Sequence, residues 1–221
     1  ETGNLLETFK LTEGPAKGGH QVVMNGNEAL GYGLIAAGVR FGAAYPITPW
    51  SDIMELLRRE LPKYGGTFVQ CEDEIASISM AVGASYAGRV AVTGSSGPGI
   101  SLKSEALGWA VMAEVPLVIV DVQRGGPSTG LPTSVEQSDL NIARFGSHGD
   151  SPRVVLAPAN VEDCFYTAIE AVNIARMNLR DFRLKIRVTD ILMRAGSIKH
   201  FPLTAGGKIS GNQSYRLPTD E

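Results

Sequence analysis

The stretch that constrains the fold most runs from Thr67 to Gly99, because its residue types alone contain a complete strand–helix–strand pattern. A short apolar run, Thr67 to Cys71, ends in three acids, and a helix-like segment of small and apolar residues follows them. A second apolar run, Val90 to Thr93, opens into a glycine-rich turn. This order predicts a parallel βαβ unit with its acids at a strand's carboxyl end, where open parallel sheets bind ligands.

The same alternation of strands and helices continues on both sides of this unit. Further strands are expected at Phe41–Tyr45, Leu117–Val122, Arg153–Ala157 and Leu184–Val188, the last ending near Asp190. Leu117–Val122 is apolar on both faces, as a central parallel strand should be. We therefore predict an α/β fold with a doubly wound, mainly parallel sheet and helices on both faces.

The 221 residues suffice for one large α/β domain with short appendages. Residues 1–20 lack periodicity and are predicted to be a linker or arm, and residues 21–200 the domain itself. Residues 201–221 carry Gly, Ser, Pro and Asn without a pattern, so we expect a tail or the start of a further domain.

The first helix has clear start and stop signals. Asn25 or Asn27 can cap its beginning, and Gly38 is a natural stop. Gly31 and Gly33 inside it cost stability, which indicates close approach of another helix or of a ligand.

Bulk properties exclude several classes of protein. The net charge of −3 does not suggest binding to nucleic acid or to a membrane surface, and no apolar run approaches the roughly 18 residues of a membrane span. Cys71 and Cys164 are far apart and cannot bind a metal or an iron–sulfur cluster unaided. With no basic-then-apolar leader, we expect a reduced, cytoplasmic protein.

Common catalytic motifs are incomplete. The turn Gly94–Gly99 lacks the first Gly-x-Gly of a dinucleotide fingerprint, and Leu102 replaces the glycine that precedes the lysine of a phosphate loop. The amides of such a turn can still hold an anion at a helix start. There is no Gly-x-Ser-x-Gly elbow and no histidine or carboxylate set with metal-ligand spacing.

Three features remain as candidates for function. Glu72, Asp73 and Glu74 are either ordinary first-turn charges or functional acids, and close packing is expected most strongly around Glu74. Two prolines hold Thr48 in a stiff presentation, although an ordinary helix entrance starting at Pro49 explains them equally well. Arg124 stands at the root of a long loop rich in Gly, Pro and hydroxyl residues, and loops of this length are usually functional or disordered.

Four motifs, in order and spacing, resemble the α subunit of 2-oxoacid:ferredoxin oxidoreductases, with the 2-oxoglutarate type nearest. They are Tyr45-Pro46-Ile47-Thr48-Pro49, Glu72-Asp73-Glu74-Ile75-Ala76-Ser77, Ser96-Gly97-Pro98-Gly99 and Arg124-Gly125-Gly126-Pro127-Ser128-Thr129-Gly130. The match covers about residues 24 to 175 and implies the pyrimidine-binding domain of a thiamine diphosphate enzyme.

The resemblance also implies residue roles. A glutamate of the family hydrogen-bonds N1′ of the cofactor's aminopyrimidine, favouring the tautomer that deprotonates the thiazolium C2. Glu74 matches this glutamate, and Glu72 is the alternative candidate. The other matches imply cofactor binding by Pro46, Ile47, Ser96 and Gly97, and substrate binding by Thr48, Arg124, Ser128 and Thr129, with Arg124 on the substrate carboxylate.

The implied reaction is oxidative decarboxylation of a 2-oxoacid, best 2-oxoglutarate, to acyl-CoA and CO₂ with ferredoxin as electron acceptor. The resemblance places Mg²⁺, the diphosphate site and an iron–sulfur cluster on a β subunit, in an α2β2-type assembly, so this chain alone should be inactive. No metal ligand is predicted on this chain.

The chain departs from the family pattern at two places. Trp50 replaces a small hydroxyl residue, and Met177 to Arg187 is unusually polar and basic. Two alternatives stay open, a split-subunit non-oxidative thiamine-dependent 2-oxoacid decarboxylase and a non-catalytic assembly subunit.

Overall fold

The structure, a computed structural model, describes residues 21–176, 188–194 and 201–204. Its strands are β1 Gln21–Met24, β2 Phe41–Ala44, β3 Thr67–Gln70, β4 Ala91–Ser95, β5 Leu117–Gln123, β6 Val154–Leu156, β7 Val188–Arg194 and β8 Phe201–Thr204. Its helices are α1 Gly26–Ala36, α2 Ser51–Glu60, α3 Glu74–Tyr86, α4 Gly97–Met112, α5 Leu140–Phe145 and α6 Val161–Arg176, with a 3₁₀ turn at Leu61–Tyr64.

Six strands form one parallel sheet in the order β3-β2-β4-β5-β7-β6. The connection after β2 runs outward to β3, whereas the connection after β4 runs the other way to β5. The strand order therefore reverses between β2 and β4, the point at which such sheets form a ligand-binding crevice. The predicted doubly wound α/β fold is confirmed.

The sheet carries a hydrophobic core on each face. In β5, Val118, Val120 and Val122 join the core of α1, α2 and α6, whereas Leu117 and Ile119 join that of α3 and α4. All seven residues of β5 are buried, because successive side chains point to opposite, covered faces. This explains why the strand is apolar apart from Asp121 and Gln123 near its carboxyl end.

The signals of the first helix act as predicted. The Asn25 side chain accepts from the backbone N–H of Glu28, and the Glu28 carboxylate accepts from the N–H of Asn25, which is a capping box. Gly38, just past the helix end, has φ +91°. Gly31 faces Leu56 of α2, and Gly33 faces the backbone of α6, so neighbouring helices account for both glycines.

Three boundary predictions are corrected. α2 begins at Ser51 rather than at Pro49, and Thr48 is not its cap. The last parallel strand continues past the predicted end near Asp190, because β7 pairs with the whole seven-residue length of β5 and places Asp190 inside the strand. Residues 184–187 of the predicted strand lie outside the described residues. β8, expected within a tail, pairs antiparallel with β1. The segment Met177 to Arg187 lies outside the described residues.

Trp50 is fully buried in the helix entrance. A Cβ added at Gly94 of β4 would overlap the six-membered ring of this indole. The departure of Trp50 from the family pattern is therefore accommodated by a glycine on the adjacent strand.

Candidate functional site

The candidate residues follow four neighbouring parallel strands, so the topology brings them to one edge of the sheet. Thr48 follows β2, the acids follow β3, Ser96 and Gly97 follow β4, and Arg124 follows β5. These residues flank the point at which the strand order reverses.

The structure separates the three acids. Asp73 is the cap of α3, and its carboxylate accepts from the N–H of Ala76 at 2.7 Å. Glu72 is exposed, whereas Glu74 is only 8% exposed. Asp73 and Glu72 thus fit the explanation that these acids are ordinary charges at a helix start. Glu74 differs from them because it is buried.

The Glu74 side chain packs against the glycine turn at the start of α4. A Cβ added at Gly99 would overlap the Ser95 hydroxyl and lie 2.9 Å from Glu74 Oε1. Ser95 and Ser96 are buried, and neither hydroxyl has a hydrogen-bond partner within the described part of the chain. The turn therefore gives the carboxylate close backbone contact and places two buried hydroxyls without hydrogen-bond partners beside it.

A buried lysine lies next to the backbone of Glu74. In the sequence it was considered only as part of an incomplete phosphate-loop motif. Lys103 of α4 is fully buried, and its Nζ donates to Glu74 O (3.2 Å), Thr93 Oγ1 (3.0 Å) and Ser77 Oγ. Burial lowers the pKa of Lys103 from 10.5 to about 8, with Glu74 opposing that effect most strongly. Helical spacing with the buried apolar positions Ile100, Leu107 and Ala110 could have revealed it.

The stability of the fold should depend on pH through Lys103. Below about pH 8 the amine is protonated in both states, and between 8 and 10.5 the folded chain loses a proton that the unfolded chain keeps. The free energy of unfolding should therefore rise across this window, by on the order of 3 kcal/mol. Denaturant unfolding from pH 7 to 11 should show this rise relative to Lys103→Met; parallel curves for the two proteins would contradict it.

A carboxylate already occupies the amino end of α4. The Asp139 carboxylate lies against Gly97, the first residue of α4, where an added Cβ would overlap its Oδ1. Burial raises the pKa of Asp139, which is 8% exposed. The anion that a glycine turn can hold is here supplied by the chain itself.

The Arg124 guanidinium joins the other two loops of the site. Its Nη1 donates to Thr48 O (2.8 Å) and its Nη2 to Thr129 O (2.7 Å), while the side chain is only 6% exposed. The loop after it is ordered by a bond from the Gly126 N–H to Glu136. Arg124 thus brings Thr48 and Thr129 together.

The remaining predicted residues lie around this centre. Thr48, Ser128 and Thr129 are exposed, whereas Pro46 and Ile47 are half-buried, with Ile47 against the α1–α2 core. In the described ranges, no group of three or more His, Cys, Asp or Glu could hold a metal ion. Nor does any helix among the described residues have the length and apolar character needed to cross a membrane.

The outer faces of α3 and α4 are almost free of charge. Glu105 is the one exposed charged residue in these two fully described helices. Large apolar side chains are exposed on them instead, namely Ile75, Met80, Tyr86, Leu102, Trp109 and Met112. Helices that are apolar on all sides are normally buried, so this surface, the α3–α4 face, is typical of an interface.

Residues 32–184 match the family model described as pyruvate flavodoxin/ferredoxin oxidoreductase, thiamine diphosphate-binding. The chain is 56% identical over 153 residues to the 2-oxoglutarate synthase subunit KorA of Archaeoglobus fulgidus, covering 69% of this chain and 44% of that protein. It is 51% identical over 216 residues to the 2-oxoglutarate oxidoreductase subunit KorA of Mycobacterium tuberculosis, covering 96% and 30%.

A solved structure is also similar. It is the 2-oxoglutarate:ferredoxin oxidoreductase from Magnetococcus marinus with 2-oxoglutarate, coenzyme A and succinyl-CoA bound, at TM-score 0.76 and 44% identity over 86% of this chain. This chain covers 33% of the solved one, so it spans less than half the length of each of these relatives.

Proposed function

This chain belongs to the thiamine diphosphate-binding family of pyruvate flavodoxin/ferredoxin oxidoreductases, and we propose that it supplies the pyrimidine side of a 2-oxoacid:ferredoxin oxidoreductase site. The observation that carries the proposal is the buried Glu74 carboxylate, packed against Gly99 beside the unpartnered Ser95 hydroxyl. These groups fit an aminopyrimidine, which offers both donors and acceptors to a carboxylate and hydroxyls.

Thiamine diphosphate, when bound, supplies the carbon nucleophile that makes decarboxylation of a 2-oxoacid possible. Glu74 holds a proton between its carboxylate and the pyrimidine N1′ and so sets the protonation of the ring. Its burial strengthens this bond, because water does not compete for the carboxylate. Pro46, Ile47, Ser96 and Gly97 would line the site that holds the ring.

We propose that the amino end of α4 does not bind the diphosphate of the cofactor. The Asp139 carboxylate already lies at the amino end of α4, and a second anion there would meet its negative charge. We assign the diphosphate, its Mg²⁺ and an iron–sulfur cluster to a β subunit.

We assign substrate recognition to the loops that contain Thr48 and Thr129, which Arg124 links. A guanidinium has five N–H donors, and two of them serve the carbonyls of Thr48 and Thr129. The guanidinium has further N–H donors that can pair with a substrate carboxylate. The exposed hydroxyls of Thr48, Ser128 and Thr129 complete the polar lining, and the ligands of the Magnetococcus marinus structure favour 2-oxoglutarate and coenzyme A as the substrates.

The α3–α4 face supports assembly with another subunit, because it would leave six large apolar side chains in water otherwise. We assign it to the β subunit, in an α2β2-type assembly that passes electrons to ferredoxin. Cys71 and Cys164 are free and buried, which favours a cytoplasmic location.

The complete subunit, purified with its β partner, should reduce a viologen dye when 2-oxoglutarate, coenzyme A and thiamine diphosphate are supplied. Omitting coenzyme A or the 2-oxoacid is the control. Release of CO₂ without dye reduction would instead indicate a non-oxidative decarboxylase. Inactivity of a thiamine diphosphate-loaded complex with every 2-oxoacid would indicate an assembly subunit.

A further inference from the structure

Lys103 uses its whole hydrogen-bonding capacity on the structure around Glu74. An ammonium group has three donors, and those of Lys103 reach Glu74 O, Ser77 Oγ and Thr93 Oγ1. The Ser77 hydroxyl in turn donates to Glu74 O at 2.8 Å. The first turn of α3 is thereby tied to β4 through a single charged group on α4.

This arrangement fixes Glu74 from two sides. Lys103 donates a hydrogen bond to the backbone carbonyl of Glu74. The glycine turn contacts the Glu74 carboxylate, and Gly99 is packed too closely for any other side chain at that position. Because Gly99 and Lys103 belong to the same helix, α4 determines the position and orientation of the Glu74 carboxylate. A small displacement of a catalytic group can reduce its effectiveness strongly.

A buried ammonium is a costly way to fill a core position. Apolar residues of similar volume usually pack there with equal or greater stability. The acids near Lys103 are Glu74 and Asp73, both at the start of α3. Two of the three hydrogen bonds of Lys103, and both of these acids, thus belong to the Glu74 segment.

We propose that Lys103 is a positioning residue for Glu74, whose ammonium group holds the first turn of α3 so that the carboxylate reaches the pyrimidine N1′. The inference rests on the function proposed above. It adds a residue that has no contact with substrate or cofactor and acts through Glu74.

Calorimetric titration of the assembled α–β complex can test this role without turnover. The probes are thiamine diphosphate and its 1′-deaza analogue, in which carbon replaces N1′ and cannot accept or share the proton. Lys103→Met should weaken binding of thiamine diphosphate about tenfold, the loss of one charge-assisted hydrogen bond. It should leave binding of the analogue nearly unchanged, because the analogue makes no bond to Glu74.

A second variant and a control sharpen the test. Thr93→Val removes one acceptor of Lys103 at almost constant shape and should act in the same direction more weakly. Lys63→Met removes an exposed lysine paired with Glu60 and should affect neither probe. Equal weakening of both probes by Lys103→Met, or no weakening, would overturn the positioning role alone. Failure of the unmodified complex to bind thiamine diphosphate would overturn the proposed function as well.

Discussion

Glu74→Gln is expected to abolish turnover of the assembled enzyme while leaving fold and assembly intact. The amide keeps the size of the side chain and its contact with Gly99, but it can no longer exchange a proton with the pyrimidine N1′. Loss of a positioned acid–base group costs roughly 10²- to 10⁴-fold in rate. Steady-state dye reduction measures this loss, and thermal unfolding with size-exclusion chromatography checks fold and assembly.

The matched control is Glu72→Gln, two residues earlier in the same turn. Glu72 is exposed, so its neutralisation should change turnover by less than about twofold. If Glu72→Gln abolishes turnover and Glu74→Gln does not, the exposed acid is the pyrimidine partner and the assignment to Glu74 is wrong.

Gly33→Ala is expected to destabilise the subunit by about 3 kcal/mol. The added Cβ would overlap the Phe165 carbonyl oxygen of α6 and lie 2.9 Å from the Cβ of Ala168. Because the first obstacle is backbone, α1 and α6 must move apart, and such overpacking outweighs the roughly 1 kcal/mol that alanine gains over glycine in a helix. Denaturant unfolding of the full-length subunit measures the difference.

Gly83→Ala in α3 provides the opposite case. Gly83 is exposed, and a Cβ there would meet nothing within 4 Å. Helix propensity alone should then stabilise the subunit by about 1 kcal/mol. Equal changes for the two variants would contradict the close packing of α1 on α6.

The elements that could be predicted from sequence are those specified by local patterns. The predominantly apolar run of β5 indicated a strand covered on both faces, and Asn25 and Gly38 marked the ends of α1 within one residue or two. The strand-end placement of Glu74 followed from the βαβ pattern, because parallel topology fixes the edge to which each strand leads. Patterns of this kind require no knowledge of distant partners.

The contacts that could not be predicted depend on residues far apart in the chain. The bonds of Lys103 to Glu74 and Thr93 exist only once α3, α4 and β4 are packed together. Asp139 reaches Gly97 in the same way, from the position just before α5. The extent of β7 is likewise set by pairing with β5 rather than by its own apolar pattern.

The contact between Trp50 and Gly94 has a consequence for how this sequence can vary. The two residues belong to different segments, yet the indole fills the space that any side chain at position 94 would need. A larger residue at 94 therefore becomes acceptable only after Trp50 has been replaced by a smaller one. That order passes through a cavity, whereas the reverse order passes through a steric clash. The two positions should therefore vary together. In a variant library built at both positions, folded proteins with a larger residue at 94 should carry a smaller residue at 50.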